Sequence, residues 1–268
     1  MTPVRPNILL IQSDQHNSKM MGCSSDWNVC TPNLDSLASS GVIFDNAYCA
    51  SPICVPSRMS MLTGRYPYEN EVWTNTHGLD SAIPTIAHAL GSVGYRSVQI
   101  GRMHFIGPDQ LHGYDERYIG DHGPNFFGGR PVNHGVLEGT AGPNRVSLKM
   151  SGHGQNAYQV HDELVAKTTV NYLQEYVDKN MYEDSPEPFF LHVGFMLPHQ
   201  PYVAHKDDYL RQINRVNMPK NSRPFPDEHH TYLRWWRTHT GIVDVSDQEI
   251  LRARTAYWGL VERVDYLI

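Results

Sequence analysis

The amino-acid sequence predicts an α/β protein in which a mostly parallel central sheet is sandwiched by helices. Short apolar runs typical of buried strands alternate along the chain with stretches whose apolar residues recur at helical spacing. Of the 268 residues, 40% are hydrophobic and only 19% are charged, a balance typical of a folded globular protein. The net charge of −6, spread without long runs, gives no support for a nucleic-acid-binding surface.

The individual elements follow from local patterns. The predicted strands cover 7–12, 42–44, 97–100 and 189–195, and the predicted helices cover 32–40, 57–62, 83–90, 158–177 and 248–268. The first strand is an apolar run between a proline and polar residues, which predicts a fully buried strand. Thr31 and Pro32 are typical of an N-cap and a first helical position, and Gly64 is typical of a helix end.

In one long segment the apolar residues show neither helical nor strand spacing. Residues 107–154 are rich in Gly, His, Asp and Asn, which predicts a folded loop region close to a functional site. We find no internal repeat and no linker that would separate two domains.

The most specific string in the chain is Cys-Val-Pro-Ser-Arg at 54–58, followed by Leu-Thr-Gly-Arg at 62–65. Cys54, Arg58 and Leu62 recur every fourth residue, so they share one face of the predicted helix. A cysteine at a helix start with an arginine one turn away indicates a reactive thiol in an anion-binding corner. A structural cysteine is the alternative for a cysteine taken alone, but the flanking string favours the reactive one.

With every fixed position of this string present, the chain resembles the sulfatase family of the alkaline-phosphatase superfamily. Its features are similar to those of choline-sulfatase-like and bacterial arylsulfatase-like members. The resemblance implies that a maturation enzyme converts Cys54 to formylglycine after translation. One hydroxyl of the hydrated aldehyde would attack sulfur and displace the alcohol, and the other, once deprotonated, would expel sulfate.

The resemblance also implies a metal site after the first strand. Ser13-Asp14-Gln15 is similar to the family's metal-binding turn, in which Asp14 would ligate a divalent cation at the carboxyl end of the strand. Gln15 stands where many sulfatases have a second acidic residue, so it would contribute an amide oxygen or only support the ligands. With Cys54 as a further ligand, the implied cation is Ca²⁺, with Mg²⁺ or Mn²⁺ as alternatives. Taken alone, an aspartate after a strand is more often a turn former.

Two further strings imply contacts to the sulfate group. Gly-Arg-Met-His at 101–104 resembles the family's Gly-Lys-x-His, which makes Arg102 and His104 sulfate contacts, with an arginine in place of the usual lysine. Pro-His-Gln-Pro at 198–201 resembles Pro-His-x-Pro, and this implies that His199 touches the sulfate and protonates the leaving group. Arg58 would neutralise the charge that develops in the transition state.

We therefore expect a metal-assisted sulfatase that acts on a small-molecule or sugar sulfate ester. Two alternatives stay open at this point. One is a phosphonate monoester or phosphodiester hydrolase of the same superfamily, and the other is a degenerate, non-catalytic homologue that only binds an anion. The sequence predicts neither the particular ester nor the oligomeric state.

The end of the chain also bears on function. The last predicted helix reaches Ile268 without a Gly, Asn or Pro stop signal, and Asp-His-Gly at 121–123 comes too early to be the family's second metal motif. We therefore expect 1–268 to be the N-terminal portion of a sulfatase catalytic domain, with a fold incomplete at its C-terminus and little activity alone.

The sequence also bears on the compartment. The apolar run near the N-terminus is too short for a signal peptide, and no stretch approaches the roughly 20 apolar residues of a membrane span. A cytoplasmic location without membrane contact is the default prediction, and a periplasmic or secreted location stays open. The four cysteines lie in the first fifth of the chain and match no zinc pattern.

Overall fold

A computed structural model describes residues 5–24, 29–123, 144–183, 186–220 and 230–268. The strands are β1 (Ile8–Gln12), β2 (Arg96–Gly101), β3 (Glu116–Tyr118), β4 (Gly152–His153), β5 (Phe189–Gly194) and β6 (Val203–Ala204). The helices are α1 (Pro32–Ser40), α2 (Cys54–Thr63), α3 (Pro67–Asn70), α4 (Ile86–Gly91), α5 (Arg145–Lys149), α6 (Ala157–Asn180), α7 (Lys206–Gln212), α8 (Thr231–His239) and α9 (Asp247–Leu267). No described helix combines the length and the apolar content that a membrane crossing requires.

The described residues form two compact units. Unit 1 is drawn from 1–14, 44–134 and 161–196, and unit 2 is drawn from 15–43, 135–160 and 197–268. Because each unit is built from separated segments, no single linker marks the division in the sequence.

The sheet of unit 1 confirms the predicted α/β class. Its strand order is β1-β5-β2-β3, and every neighbouring pair is parallel. The central strand β5 is buried at all six positions, as its continuous apolar run predicts. The register places Gln12 and Gly101 level with Gly194, so β1, β2 and β5 end side by side.

Most of the predicted elements are confirmed, with three corrections in unit 1. The strand at 7–12 is present but not fully buried, because β1 pairs on one side only in the described sheet and Leu9 is 47% exposed. The helix predicted from residue 83 begins at Ile86, because its N-cap Thr85 has an extended backbone, and the backbone N–H of Thr85 donates to Nδ1 of His88 at 3.2 Å. The described part of the unpatterned segment 107–154 contributes the three-residue strand β3 to the sheet, and residues 124–143 of this segment lie outside the described residues.

The prediction of a strand at 42–44 is wrong. These residues lie in an irregular segment, and Val42 and Phe44 are 78% and 80% exposed. Within the described residues no neighbouring strand pairs with them, so the apolar run gains no ladder of hydrogen bonds.

The hydrophobic core of unit 1 lies between α2 and the sheet. Its members share near-complete burial, and they are Val55, Met59, Leu62, Val72, Leu79, Ala87, Tyr95, Met103, Phe105, Tyr114 and Phe190. Helix α2 therefore has one face in the core, and this fixes the position of its first turn.

Unit 2 is organised around α9, which confirms the helix predicted at 248–268. Ser246 caps this helix and forms a capping box with Glu249. Near its other end the Asp265 carboxylate accepts the backbone N–H of Leu34 at 2.8 Å, at the start of α1. A carboxylate at a helix N-terminus satisfies a backbone donor that has no partner within the helix. Strands β4 and β6 form a separate parallel pair in this unit.

Candidate active site

Helix α2 positions the first two predicted site residues. It begins at Cys54 and is closed after Thr63 by the C-cap Gly64, whose φ of 67° is the left-handed conformation that glycine adopts most readily. Arg58 lies one turn after Cys54 and is 3% exposed. The predicted sharing of a helix face is therefore confirmed, and the guanidinium of Arg58 is held inside the protein.

Asp14, directly after β1, brings the predicted residues of unit 1 together. Its Oδ1 lies 3.9 Å from Sγ of Cys54. Its Oδ2 lies 3.4 Å from Nη2 of Arg58 and 2.5 Å from Nε of Arg102. We call Asp14, Cys54, Arg58 and Arg102 the anion cluster.

The anion cluster carries an excess of positive charge. Two buried guanidinium groups face the Asp14 carboxylate, and the nearby Asp121 carboxylate, which also acts on both arginines, is balanced by its ion pair with Arg117. The net charge of these five groups is +1. Burial lowers the pKa of Arg58, the Asp14 carboxylate opposes this, and Arg102 lowers the pKa further. Because a buried positive charge is unfavourable without a counterion, this cluster favours a bound anion.

A close approach of two strand ends places Arg102. Gly101 ends β2 with a φ of 89°, and the backbone N–H of Arg102 donates to the Gly194 carbonyl at 2.8 Å. A Cβ at Gly194 would lie 1.9 Å from the Arg102 carbonyl oxygen. Only glycine leaves room at this crossing, which fixes the backbone of Arg102 at the start of the turn that follows β2.

His104 is held in a fixed protonation state. Its Nδ1 lies 3.0 Å from Nη2 of Arg102, and a guanidinium can only donate, so Nδ1 accepts and Nε2 carries the proton. Burial and then the charge of Arg102 lower the pKa of His104 to about 4. At neutral pH His104 is therefore an uncharged donor through Nε2–H.

Asp121 was not among the predicted site residues, and it supports His104. Its Oδ1 and Oδ2 accept the backbone N–H of His104 at 3.0 and 3.1 Å, and Oδ2 pairs with Nη2 of Arg117 at 2.7 Å. Burial alone would raise the pKa of Asp121, but Arg117 and Arg102 outweigh it and hold the pKa below its usual value. His104 has a φ of 64°, and the carboxylate fixes this unfavourable backbone conformation.

Gln15 belongs to unit 2. It has a φ of 60°, its carbonyl accepts a hydrogen bond from the Tyr257 hydroxyl at 2.9 Å, and its side chain is bonded to Tyr202. It also lines a cavity of about 720 Å³ in that unit, together with Trp236 and Arg237. The amide therefore has partners within its own unit, and the ligand role of Gln15 stays a prediction.

His199 also belongs to unit 2. Its Nδ1 lies 2.6 Å from the carbonyl oxygen of Gln200, and its ring meets Tyr158 edge to face with centroids 5.9 Å apart. These contacts orient the imidazole, and its predicted part in leaving-group protonation is not tested by them.

Of the atoms in the anion cluster that could bind a metal, the carboxylate oxygen suits a hard divalent cation and the thiol does not. Oδ1 of Asp14 faces Cys54 and Oδ2 faces the two guanidinium groups, so Oδ1 is the oxygen placed to bind a metal. A thiol is a poor ligand for Ca²⁺ or Mg²⁺, whereas an oxygen at the same position is a good one. The residue at 54 therefore fits such a metal after conversion of its thiol to a hydrated aldehyde.

The fold and the cluster define a class: an α/β protein with a buried cluster of charged side chains at the carboxyl ends of parallel strands. The sequence profile of the Sulfatase family matches residues 6–268. The chain is 31% identical to the choline-sulfatase of Rhizobium meliloti (strain 1021) over 281 residues, which is 99% of this chain and 53% of that protein. The chain belongs to the Sulfatase family, and it spans about half the length of this relative.

Solved structures agree on the fold. The phosphonate monoester hydrolase of Agrobacterium radiobacter matches with a TM-score of 0.68 and 20% identity, over 98% of this chain and 57% of that one. A 2-O GAG sulfatase matches with a TM-score of 0.65 and 21% identity, over 98% of this chain and 52% of that one. These likenesses confirm the alkaline-phosphatase/sulfatase-like fold class.

Proposed function

We propose that the protein hydrolyses a sulfate ester and that the anion cluster holds the sulfate group. The observation that carries the proposal is the pair of buried guanidinium groups of Arg58 and Arg102 around Asp14, with Sγ of Cys54 3.9 Å from the same carboxylate. Membership of the Sulfatase family supports the reaction type.

The side chains of unit 1 have separate parts in this proposal. Arg58 and Arg102 bind the sulfate oxygens and neutralise the charge that grows on them as the ester bond breaks. His104, uncharged at neutral pH, donates its Nε2–H to an oxygen of the reacting group. His199 in unit 2 is the proposed proton donor to the leaving alcohol.

Cys54, once converted to formylglycine, supplies the nucleophilic hydroxyl of a hydrated aldehyde. We propose Ca²⁺ as the metal, with Mg²⁺ or Mn²⁺ as alternatives, held by Oδ1 of Asp14 with contributions from position 54 and Gln15. When bound, such a cation polarises the sulfate oxygens and acidifies a coordinated hydroxyl. Asp14 thus divides its two oxygens between a metal and the two arginines.

The substrate is proposed as a small-molecule or sugar sulfate ester. The family relatives act on different alcohols, as the names choline-sulfatase and 2-O GAG sulfatase indicate. The anion cluster recognises the sulfate group that such esters share.

The test combines mass spectrometry with turnover. The protein is produced in a host that contains the maturation enzyme, and the peptide that contains Cys54 is expected to show the lower mass of an aldehyde in place of a thiol. We expect the 268-residue chain to hydrolyse an aryl sulfate only slowly, and Cys54→Ala should abolish this hydrolysis with the fold retained. Cys49→Ala, at a second free cysteine that is more exposed than Cys54, should leave hydrolysis unchanged.

Two outcomes would contradict the proposal. An unmodified thiol at Cys54 together with no hydrolysis would favour a non-catalytic anion-binding protein. Faster hydrolysis of a phosphodiester or a phosphonate monoester than of an aryl sulfate would favour the phosphonate hydrolase class.

A further inference from the structure

A chain of buried hydrogen bonds runs from the hydrophobic core of unit 1 to the guanidinium of Arg58. The Tyr114 hydroxyl lies 2.7 Å from Nδ1 of His192, and Nε2 of His192 lies 3.2 Å from Oε1 of Gln12. The same Gln12 oxygen accepts a hydrogen bond from Nη1 of Arg58 at 3.1 Å. We call Gln12, His192 and Tyr114 the relay residues.

The donors and acceptors of this chain can be assigned in only one way. A guanidinium only donates, so the Gln12 atom that meets Arg58 is the carbonyl oxygen of its amide. His192 must then donate to Gln12 from Nε2, and its Nδ1 must accept from Tyr114. This arrangement needs a neutral imidazole, and burial together with Arg58 lowers the pKa of His192 to about 3.

The relay residues lie at positions where packing alone would require only apolar side chains. Gln12 ends β1, and His192 lies inside β5, where it is fully buried. A buried polar side chain is unfavourable unless its hydrogen bonds are made, and a satisfied network fixes one geometry more strictly than apolar contacts do. The Tyr114 ring anchors the network, because it stacks on Phe190 with centroids 6.0 Å apart.

We propose that the relay residues are positioning residues that hold the Arg58 guanidinium in the orientation in which it meets the sulfate group. Oε1 of Gln12 and the carbonyl oxygen of Arg102 both accept from Nη1, while Nη2 is directed to Asp14 at 3.4 Å. Three acceptors in fixed directions leave the planar guanidinium a single orientation. The inference rests on the proposed function of the anion cluster as the sulfate site.

The test measures the binding of inorganic sulfate to the full chain by calorimetry. Gln12→Met keeps the side-chain volume and removes the acceptor for Arg58, and we expect about tenfold weaker sulfate binding, the effect of losing one hydrogen bond to a charged group. Tyr114→Phe keeps the ring and removes the hydroxyl. We expect about threefold weaker sulfate binding, because the Tyr114 hydroxyl acts on Arg58 only through His192 and Gln12. Tyr172→Phe is the matched control, because this ring also packs on β5 but lies outside the network, and it should bind sulfate like the unsubstituted chain.

A second readout reports the network itself. Nitrogen-15 NMR of the His192 ring should show protonation at Nε2 in the unsubstituted chain, and Tyr114→Phe should shift the tautomer populations while Tyr172→Phe does not. A purely structural role would lower the unfolding temperature of the variants without changing their sulfate affinity or the tautomer.

The outcomes separate this inference from the proposed function. Unchanged sulfate affinity in both Gln12→Met and Tyr114→Phe, or no measurable sulfate binding by the unsubstituted chain, would overturn the positioning role. Neither binding nor NMR requires turnover, so a protein that binds sulfate as described but hydrolyses no sulfate ester would overturn only the proposed reaction. If Gln12→Met does not fold, Tyr114→Phe decides the question alone.

Discussion

The carbonyl oxygen of Arg102 accepts a hydrogen bond from Nη1 of Arg58, 3.1 Å away, although the two side chains carry the same charge. The bond joins helix α2 to the turn that follows β2, and so ties together the two segments that carry the guanidinium groups. Asp14 lies against both of them. An anion that replaces water at this cluster therefore meets donors that are already oriented, which is the arrangement that stabilises developing charge most efficiently.

Replacement of Arg58 by lysine tests whether geometry matters beyond charge. Arg58→Lys keeps the positive charge, but a single ammonium cannot reach Gln12, the Arg102 carbonyl and Asp14 in one plane. We expect sulfate binding to weaken by about tenfold or more, measured by calorimetry. Arg96→Lys, on the exposed start of β2, is the control and should bind sulfate normally. Equal affinities in the two variants would show that charge alone is sufficient.

Gly194→Ala tests the crossing of the strand ends. The new Cβ would lie 1.9 Å from the Arg102 carbonyl oxygen, so the turn at 102 must move and its hydrogen bond to residue 194 must lengthen. We expect the free energy of unfolding to fall by about 2–4 kcal/mol, measured by urea denaturation. Gly91→Ala is the control, because nothing lies near a Cβ at this last helical position of α4. A similar loss at both positions would contradict the steric argument.

Local patterns in the sequence predicted the parallel sheet, the long helices and the meeting of Cys54 with Arg58. They work because a fully buried strand leaves a continuous apolar run as its trace, as in β5, and an amphipathic helix leaves a periodic one, as in α9. The Gln12–His192 contact leaves no such trace, because the two residues are 180 positions apart and each reads as an ordinary strand residue. Strand β3 is too short to show a period, and the exposed run at 42–44 has the composition of a strand without a described partner. The sequence drew attention to Asp121 only within an Asp-His-Gly string that comes too early for the family's second metal motif. Its contacts with the backbone N–H groups of residues 103 and 104 could not be predicted, because they depend on the fold of that turn.

Asp14→Asn tests the proposed metal site without relying on turnover. A cation that binds only the folded protein raises its unfolding temperature, so millimolar Ca²⁺ should stabilise the unsubstituted chain. An amide is a weaker ligand than a carboxylate, and we expect the Ca²⁺-dependent rise in Asp14→Asn to shrink to less than half. Asp178→Asn, on an exposed turn of α6, keeps the remaining acidic groups and serves as the control. Equal rises in all three proteins would place the Ca²⁺ site elsewhere.

The buried imidazole of His192 predicts how the stability of unit 1 depends on pH. The pKa of His192 is about 3 in the folded protein, while the pKa of an exposed histidine is about 6.5. Below pH 6.5 the unfolded chain binds a proton that the folded protein does not, so the free energy of unfolding falls as the pH falls, and this loss levels off near pH 3. Between pH 8 and pH 5, His192 accounts for about 2 kcal/mol of this fall in the free energy of unfolding. His192→Gln removes the titrating group, so its free energy of unfolding should fall by that much less over the same interval, as measured by urea denaturation at the two pH values. The comparison is made within each protein, so a lower stability of the variant at pH 8 does not affect it. An equal fall in both proteins would show that His192 takes up a proton in the folded state and that the neutral hydrogen-bond chain to Arg58 is not maintained.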